Sequence, residues 1–475
     1  MSGAVWAIFW PLLVALAEYL LQGRARWPLR LAGVAGTVWA LAVLTRTVVA
    51  DGVGVHALGG WPAPLGIELY ADGLAVLMLW LSAVVMAVSV PYAGAWFGDQ
   101  ARARHYWPLW WLLWSALNGL FLSADLFNLY VMLELLTLAA VPLVALAAKP
   151  EALAAALRYL LFALLGSLAW LLGVAVIYAG AGTLHLHGVP ELAGAPYGAL
   201  AAGLITAGLF AKAALFPLHA WLPPAHGYAP APVSAILSAL VVKAAVYLVL
   251  RIWLWGFPDL ITPLAGQLLG LLGAAAIILG SVWAFRQAQL KQVIAYSTVA
   301  QLGYLLLIFP LLASAAAWQG VVYHGLAHGL AKAALFLAAG NIMIVIGHDR
   351  LRDMRNFPST LSPSLFAFAL ASVSLMGLPP AGGFVAKWLL VEGALAEGQW
   401  GWALLVVVGG LLAAAYLFRV MRLFVRHAGT PGVSHHPPLG WALNGPPMAL
   451  ALAAQALGLG AEPLLALLAI AEGGP

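Results

Sequence analysis

The chain has 475 residues, 64% of them hydrophobic and only 8% charged, with a formal net charge of +5. A mean hydropathy of +0.99 exceeds what any water-soluble core needs, so the composition specifies a polytopic helical membrane protein rather than soluble domains. Long unbroken apolar runs exclude a β-barrel, basic residues scattered over short loops exclude a nucleic-acid surface, and the lack of cysteine excludes disulfides and thiolate-held zinc or iron–sulfur sites.

Apolar runs of spanning length predict fourteen transmembrane helices, at 4–22, 29–49, 73–95, 107–123, 126–147, 154–180, 197–221, 230–253, 262–285, 290–312, 316–346, 362–397, 400–424 and 445–470. The first run lacks a charged leader and a cleavage site, so it is expected to be a retained span. The fourth and fifth nearly touch, with Asp125 between them as a helix cap. The seventh ends in Phe216-Pro217-Leu218-His219, and the twelfth is interrupted by Gly377-Leu378-Pro379-Pro380-Ala381-Gly382-Gly383, so both read as broken helices. The eleventh is long enough to bend. Most of the 21 tryptophans are expected at span ends and on apolar faces, as interfacial belts.

With fourteen spans, fifteen of the 21 lysines and arginines fall on one side, among them Arg24, Arg30, Lys149, Arg286, Lys291, Arg350, Arg355, Arg419 and Arg422. Arg46 and Arg251 fall on the other, at span ends. The basic side is expected to be cytoplasmic and both termini external. The remaining four basic residues, Lys212, Lys243, Lys332 and Lys387, lie inside spans. A lysine there is costly and marks function. Its proton is also more readily exchanged than that of arginine, so four buried lysines point to proton handling.

Other polar residues fall into place around them. Glu134 is the best-placed buried carboxylate, in the middle of span five. A lone carboxylate in such a site favours its neutral form, and a lysine beside it keeps it ionised. Lys212 and His219 are seven residues apart and share a face if the helix continues. His324, His328 and Lys332 recur every four residues as one stripe. HGLAH lacks the glutamate of a metalloprotease motif, so a proton wire is preferred to a zinc site and no metal is expected. Lys387 follows the second break, with Glu392 five residues on. Glu18 reads as peripheral, and Tyr296, Ser297, Gln301 and Tyr304 as weak candidates for lining water. His185, His187, His435 and His436 read as solvated loop residues. No motif for a nucleotide, haem or other cofactor is present, so no cofactor is expected and any redox chemistry belongs to other chains.

The segments AKAALFPLHAWLPPAHGYAPAPVSAILSALVVKAAVYLVLR (211–251), KQVIAYSTVAQLGY (291–304), YHGLAHGLAKAALFLAAG (323–340) and MGLPPAGGFVAKW (376–388) resemble a known family. It comprises the antiporter-like, proton-translocating membrane subunits of respiratory complex I, Mrp-type cation/proton antiporters and membrane-bound hydrogenases. GGWPAPLGIELYADGLAVLM (59–78) and NGLFLSADLFNLYVMLELLTLAA (118–140) are most similar to the Mrp-type D subunit. Where the family has a glutamate after the WLP turn, this chain has Pro224-Ala225-His226-Gly227-Tyr228-Ala229.

The resemblance implies an all-α fold of fourteen helices with two inverted five-helix repeats, broken at helices seven and twelve. The corresponding division is 1–106 for three leading helices, 107–253 and 254–427 for the repeats, and 428–475 for the last helix. It also implies that Glu134 and Lys212 form the key pair, and that Lys243, His324, His328, Lys332 and Lys387 carry protons onward. Its expected setting is the cytoplasmic membrane, with other membrane subunits of an Mrp-type or complex I-like assembly as partners, and no nucleic acid. The transported ion is the proton, with Na+ left open. Two alternatives remain: the same module in a hydrogenase-, quinone- or carbon-uptake-linked complex, and a non-transporting scaffold whose lysines are structural.

Overall fold

Apolar stretches hold their backbone groups inside helices because hydrocarbon offers no other hydrogen-bond partner, and the computed structural model follows that rule almost throughout. It describes residues 2–21, 26–63, 66–98, 100–186, 189, 197–354, 357–426 and 439–471. His187, Arg24, Arg355, His435 and His436 lie outside the described residues. The leading helices are α1 (Ser2–Leu21), α2 (Arg26–Asp51) and α3 (Gly73–Phe97). They are followed by α4 (Ala103–Leu122), α5 (Leu126–Ala145), α6 (Pro150–Ala181) and α7 (Gly198–Ala213). After α7 come the short α8 (Leu222–Tyr228), α9 (Ala231–Ile236) and α10 (Val242–Arg251). The second half contains α11 (Pro263–Arg286), α12 (Leu290–Gly303), α13 (Ala315–Ile346), α14 (Ser362–Met376), α15 (Gly382–Ala396) and α16 (Trp400–Arg426), and the chain closes with α17 (Trp441–Ala456) and α18 (Ala461–Leu468).

Helix occupies every one of the fourteen apolar runs. Among the described residues, eleven helical stretches are long and apolar enough to cross a membrane, or twelve if α17 and α18, bent by 76°, form one span. The two runs outside that count are α7, which stops short at Ala213, and the tryptophan-rich α4. The chain is a multi-pass helical membrane protein. Among the described residues it also has a small antiparallel hairpin, β1 (Gly54–Ala57) with β2 (Glu68–Ala71), paired from Gly54↔Ala71 to Ala57↔Glu68.

α13 runs unbroken through the centre, packed by α3, α9, α14, α15 and α17. Other spans are irregular where polar residues sit. α9 and α10 form one span with a π-turn over Leu237–Val241 between them, and a second π-turn follows at Ile252–Gly256. α12 continues as a 3-10 helix over Tyr304–Leu311. Such turns leave carbonyls without their usual helical donors.

Several expectations are corrected here. Trp107, Trp110, Trp111 and Trp114 are not a surface belt: all four are buried along α4 and packed edge-on or stacked on one another. Glu18 is not peripheral: it is buried and accepts a 2.7 Å bond from Arg30 Nε. His185 is held rather than solvated, with Nε2 3.0 Å from Glu68. For Glu18 and His185 the partner comes from a different element of the fold. The expected cap at Asp125 is present, its side chain accepting from the Asn128 N–H at 2.7 Å.

Candidate functional site

The first break begins where α7 stops at Ala213. Ala214 takes a left-handed conformation (φ 53°), and Phe216-Pro217 cannot resume the helix. Trp221 donates from its ring to the Ala211 carbonyl at 2.7 Å and satisfies the frayed end. Lys212 therefore sits in the last helical turn, and its side chain crosses to α5. Its Nζ is 2.8 Å from Glu134 Oε1 and also donates to Thr137 Oγ1 at 3.1 Å. Ser167 of α6 donates to the same carboxylate oxygen. α6 and α7 are close enough for this because Gly208 faces Gly166: a Cβ on Gly208 would lie 2.4 Å from the Gly166 carbonyl oxygen. Lys212 is 6% exposed, whereas the Glu134 side chain keeps 21% of its surface open at the edge of the chain.

Lys243 has no carboxylate partner among the described residues. Its Nζ donates to the Ser238 carbonyl, inside the π-turn that precedes α10. The Ser238 hydroxyl is 2.9 Å from Thr298 Oγ1 on α12, and Thr298 donates to the Ile294 carbonyl at 3.2 Å. Lys332 of α13 donates to that same carbonyl at 2.7 Å and to the Ser297 hydroxyl. Lys243 and Lys332 thus approach α12 from two sides, Lys243 through Ser238, whose hydroxyl meets Thr298, and Lys332 through the Ile294 carbonyl that Thr298 also bonds.

His328 and His324 continue along α13, fully buried, with their rings stacked 5.6 Å apart. His324 Nε2 is 3.1 Å from the Gln301 carbonyl oxygen. The Tyr304 ring lies 5.0 Å from His324 on one side and 4.9 Å from Lys387 Nζ on the other. Lys387 donates to the Leu375 and Met376 carbonyls at 2.8 and 3.1 Å. Those carbonyls are freed because α14 stops there, Gly377 taking φ 80° as its cap. No group of side chains suited to a metal ion occurs among the described residues.

Of the sequence-selected residues, Glu134 and Lys212 come together, and Lys243, Lys332, His328, His324 and Lys387 form a line. His219 does not join Lys212. The helix does not continue to it, and its ring lies in the break between Phe216 and Trp283 at 5.5 and 5.1 Å. Glu392 is exposed and makes no pair with Lys387. Among the water-lining candidates, Ser297 and Tyr304 enter the line directly.

Three further groups were not legible. Lys291, assigned to a loop, is 1% exposed and donates to the Ala229 carbonyl at the first break. It forms part of the wall of a cavity of about 630 Å³ on the face carrying Arg102, Lys149 and Arg350. His226, also fully buried, has neither ring nitrogen bonded to protein. Arg251, read as a basic residue at a span end, is buried: it clamps Asp72 with two nitrogens and bonds Tyr247 Oη at 3.0 Å, tying α10 to the start of α3. The only sequence signal for Lys291 and His226 was their place inside the quoted motifs.

With this geometry in hand, comparisons with known proteins are decisive on family. Residues 123–413 match the family described as NADH:quinone oxidoreductase/Mrp antiporter, transmembrane. The N subunit of the NADH-quinone oxidoreductase of Desulforudis audaxviator is 36% identical over 442 residues, covering 90% of this chain and 88% of that protein. The D subunit of the Na(+)/H(+) antiporter of Bacillus subtilis is 30% identical over 430 residues, covering 88% and 86%. A chain of the Mrp complex from Dietzia superposes with a TM-score of 0.89 at 27% identity, covering 99% of this chain and 96% of that one. A chain of an archaeal respiratory complex, the membrane-bound sulfane sulfur reductase, gives 0.88 at 25% identity, covering 99% and 97%. The chain belongs to the NADH:quinone oxidoreductase/Mrp antiporter family. It is an antiporter-like subunit of a multisubunit membrane complex, with other membrane subunits as its partners.

Proposed function

We propose that this subunit moves protons across the membrane along Glu134, Lys212, Lys243, Lys332, His328, His324 and Lys387, with His219, Lys291 and His226 serving the first break. The observation that carries the reading is the kind of partner each of the four membrane lysines has. Among the described residues only Lys212 has a carboxylate partner. Lys243, Lys332 and Lys387 rest on carbonyl and hydroxyl oxygens, which accept a bond from an amine whether or not it carries the extra proton. A proton can therefore leave these lysines without stranding a buried ion, whereas a fixed structural cation needs a counter-charge.

Glu134 sets the charge of Lys212 in this scheme. Drawing the pair apart releases the Lys212 proton toward Lys243. The driving scale is about 2.3 kcal/mol per charge per 100 mV, within reach of a change in one ion pair. The partly open position of Glu134 supports a neighbouring subunit as the lever, because a carboxylate left facing lipid would be costly. The two breaks would then serve the opposite half-paths of two inverted repeats, 107–253 and 254–427, flanked by 1–106 and 428–475. The setting is the cytoplasmic membrane, with the basic loops inside and both termini outside. An Mrp-type cation/proton antiporter is the assembly we favour. The 36% identity to a quinone oxidoreductase subunit supports a redox-driven complex as the second reading, and the companion subunits that copurify decide between them.

The test is gradient-driven proton flux in proteoliposomes holding the assembled complex. Lys212→Ala, Lys332→Ala and Lys387→Ala should each abolish coupled flux while the complex still assembles. Full flux in all three would leave only the scaffold reading. Repeating the measurement with and without Na+ tells whether that ion is coupled.

A further inference from the structure

We propose that the furrow between the C-terminal ends of α11 and α16, which shares no lining residue with the lysine line, binds the headgroup of an anionic phospholipid. The furrow encloses about 600 Å³ and is lined by Phe285, Arg286, Ala415, Phe418, Arg419 and Arg422. Its three arginines are not equivalent. Arg419 is committed to the protein: it donates to the Phe285 carbonyl and, at 2.7 Å, to the Gln287 carbonyl, with its guanidinium over the Phe285 ring. It closes the end of α11 and makes a rigid wall. Arg286 and Arg422 are exposed and have no protein partner among the described residues.

Neither α11 nor α16 contains a single aspartate or glutamate, so nothing on either wall neutralises these two charges. Two free guanidinium groups converging on a cavity match a phosphodiester, which accepts paired N–H bonds from arginine. The furrow is also amphipathic in the sense a lipid requires. Val282 and Phe285 on α11, and Leu411 and Phe418 on α16, are exposed apolar residues that run from the arginines toward the membrane interior. Acyl chains fit that track, whereas free phosphate gains nothing from it. Basic pockets between helices at the charged-loop face of a membrane protein are where anionic headgroups bind. A zwitterionic lipid brings its own cation and forfeits half the attraction.

The full chain, purified with its companion subunits, is equilibrated with vesicles of equimolar phosphatidylglycerol and phosphatidylcholine, and the retained lipid is counted by native mass spectrometry. Phosphatidylglycerol should be retained preferentially. Arg286→Gln with Arg422→Gln should cut that preference by about 25-fold, from roughly a factor of five per arginine. Arg286→Lys with Arg422→Lys keeps the charge but loses the paired N–H bonds, so it should retain more of the preference than the Gln pair and less than the unchanged chain, and it serves as the folding control. Millimolar inorganic phosphate should not displace the lipid. Equal retention of both lipids, an undiminished preference in the Gln variant, displacement by phosphate, or a furrow filled by a companion subunit in the assembled complex would each overturn the proposal.

Discussion

The two broken helices hold their lysines by different means. At the first, Lys212 meets a carboxylate from another helix, and that carboxylate stands at the rim of the chain. At the second, Lys387 meets two carbonyls of its own broken helix and an aromatic face, all interior. A mobile counter-charge can be pulled away by a neighbour; backbone dipoles cannot. The first break is therefore built to be switched from outside, and the second to receive and release a proton without changing its surroundings.

This contrast makes predictions that differ in size. The largest concerns the ion pair. Lys212→Met leaves Glu134 without its cation and should lower stability by about 3 kcal/mol, the low end for a broken buried pair because Glu134 is partly open. Adding Glu134→Gln should restore most of the stability, read by thermal unfolding in detergent, but none of the flux. A stable single variant would break the comparison. Lys387→Met removes a donor from two carbonyls and leaves no charge behind, so it should cost about 1–2 kcal/mol, and no second substitution should be needed to make it tolerable. Gly377→Ala should come next, at about 1–2 kcal/mol, because φ 80° disfavours a side chain and the new Cβ would lie 2.6 Å from Lys387 Cδ. Its flux should fall more than its stability, since the lysine itself must move. The smallest effect belongs to the link between Lys243 and Lys332. Thr298→Val removes the hydroxyl that meets Ser238, which should slow flux by roughly fivefold for about 1 kcal/mol and leave assembly unchanged; an unaltered rate would take the α12 hydroxyls out of the path.

Much of this was readable from the chain. Prolines and glycines in apolar sequence marked both breaks, and the four-residue spacing of His324, His328 and Lys332 put them on one face. Lys291 was not readable, because it lies at a helix start beside polar neighbours and looks like any loop lysine. Tertiary packing buries it, with the Ala229 carbonyl between α8 and α9 accepting its bond. The seven-residue spacing of Lys212 and His219 suggested a shared face that the left-handed turn at Ala214 abolishes.

By itself the sequence determined that this is a helical membrane protein, where its helices run, and that lysines lie within them, because hydropathy and proline act locally along a chain. Only the tertiary structure decided which lysine is paired and which rests on carbonyls. It also decided that Arg251 closes on Asp72, 179 residues away. The physical reason is that the stability of a buried charge depends on oxygens brought by other helices, and no local pattern records which helices those will be.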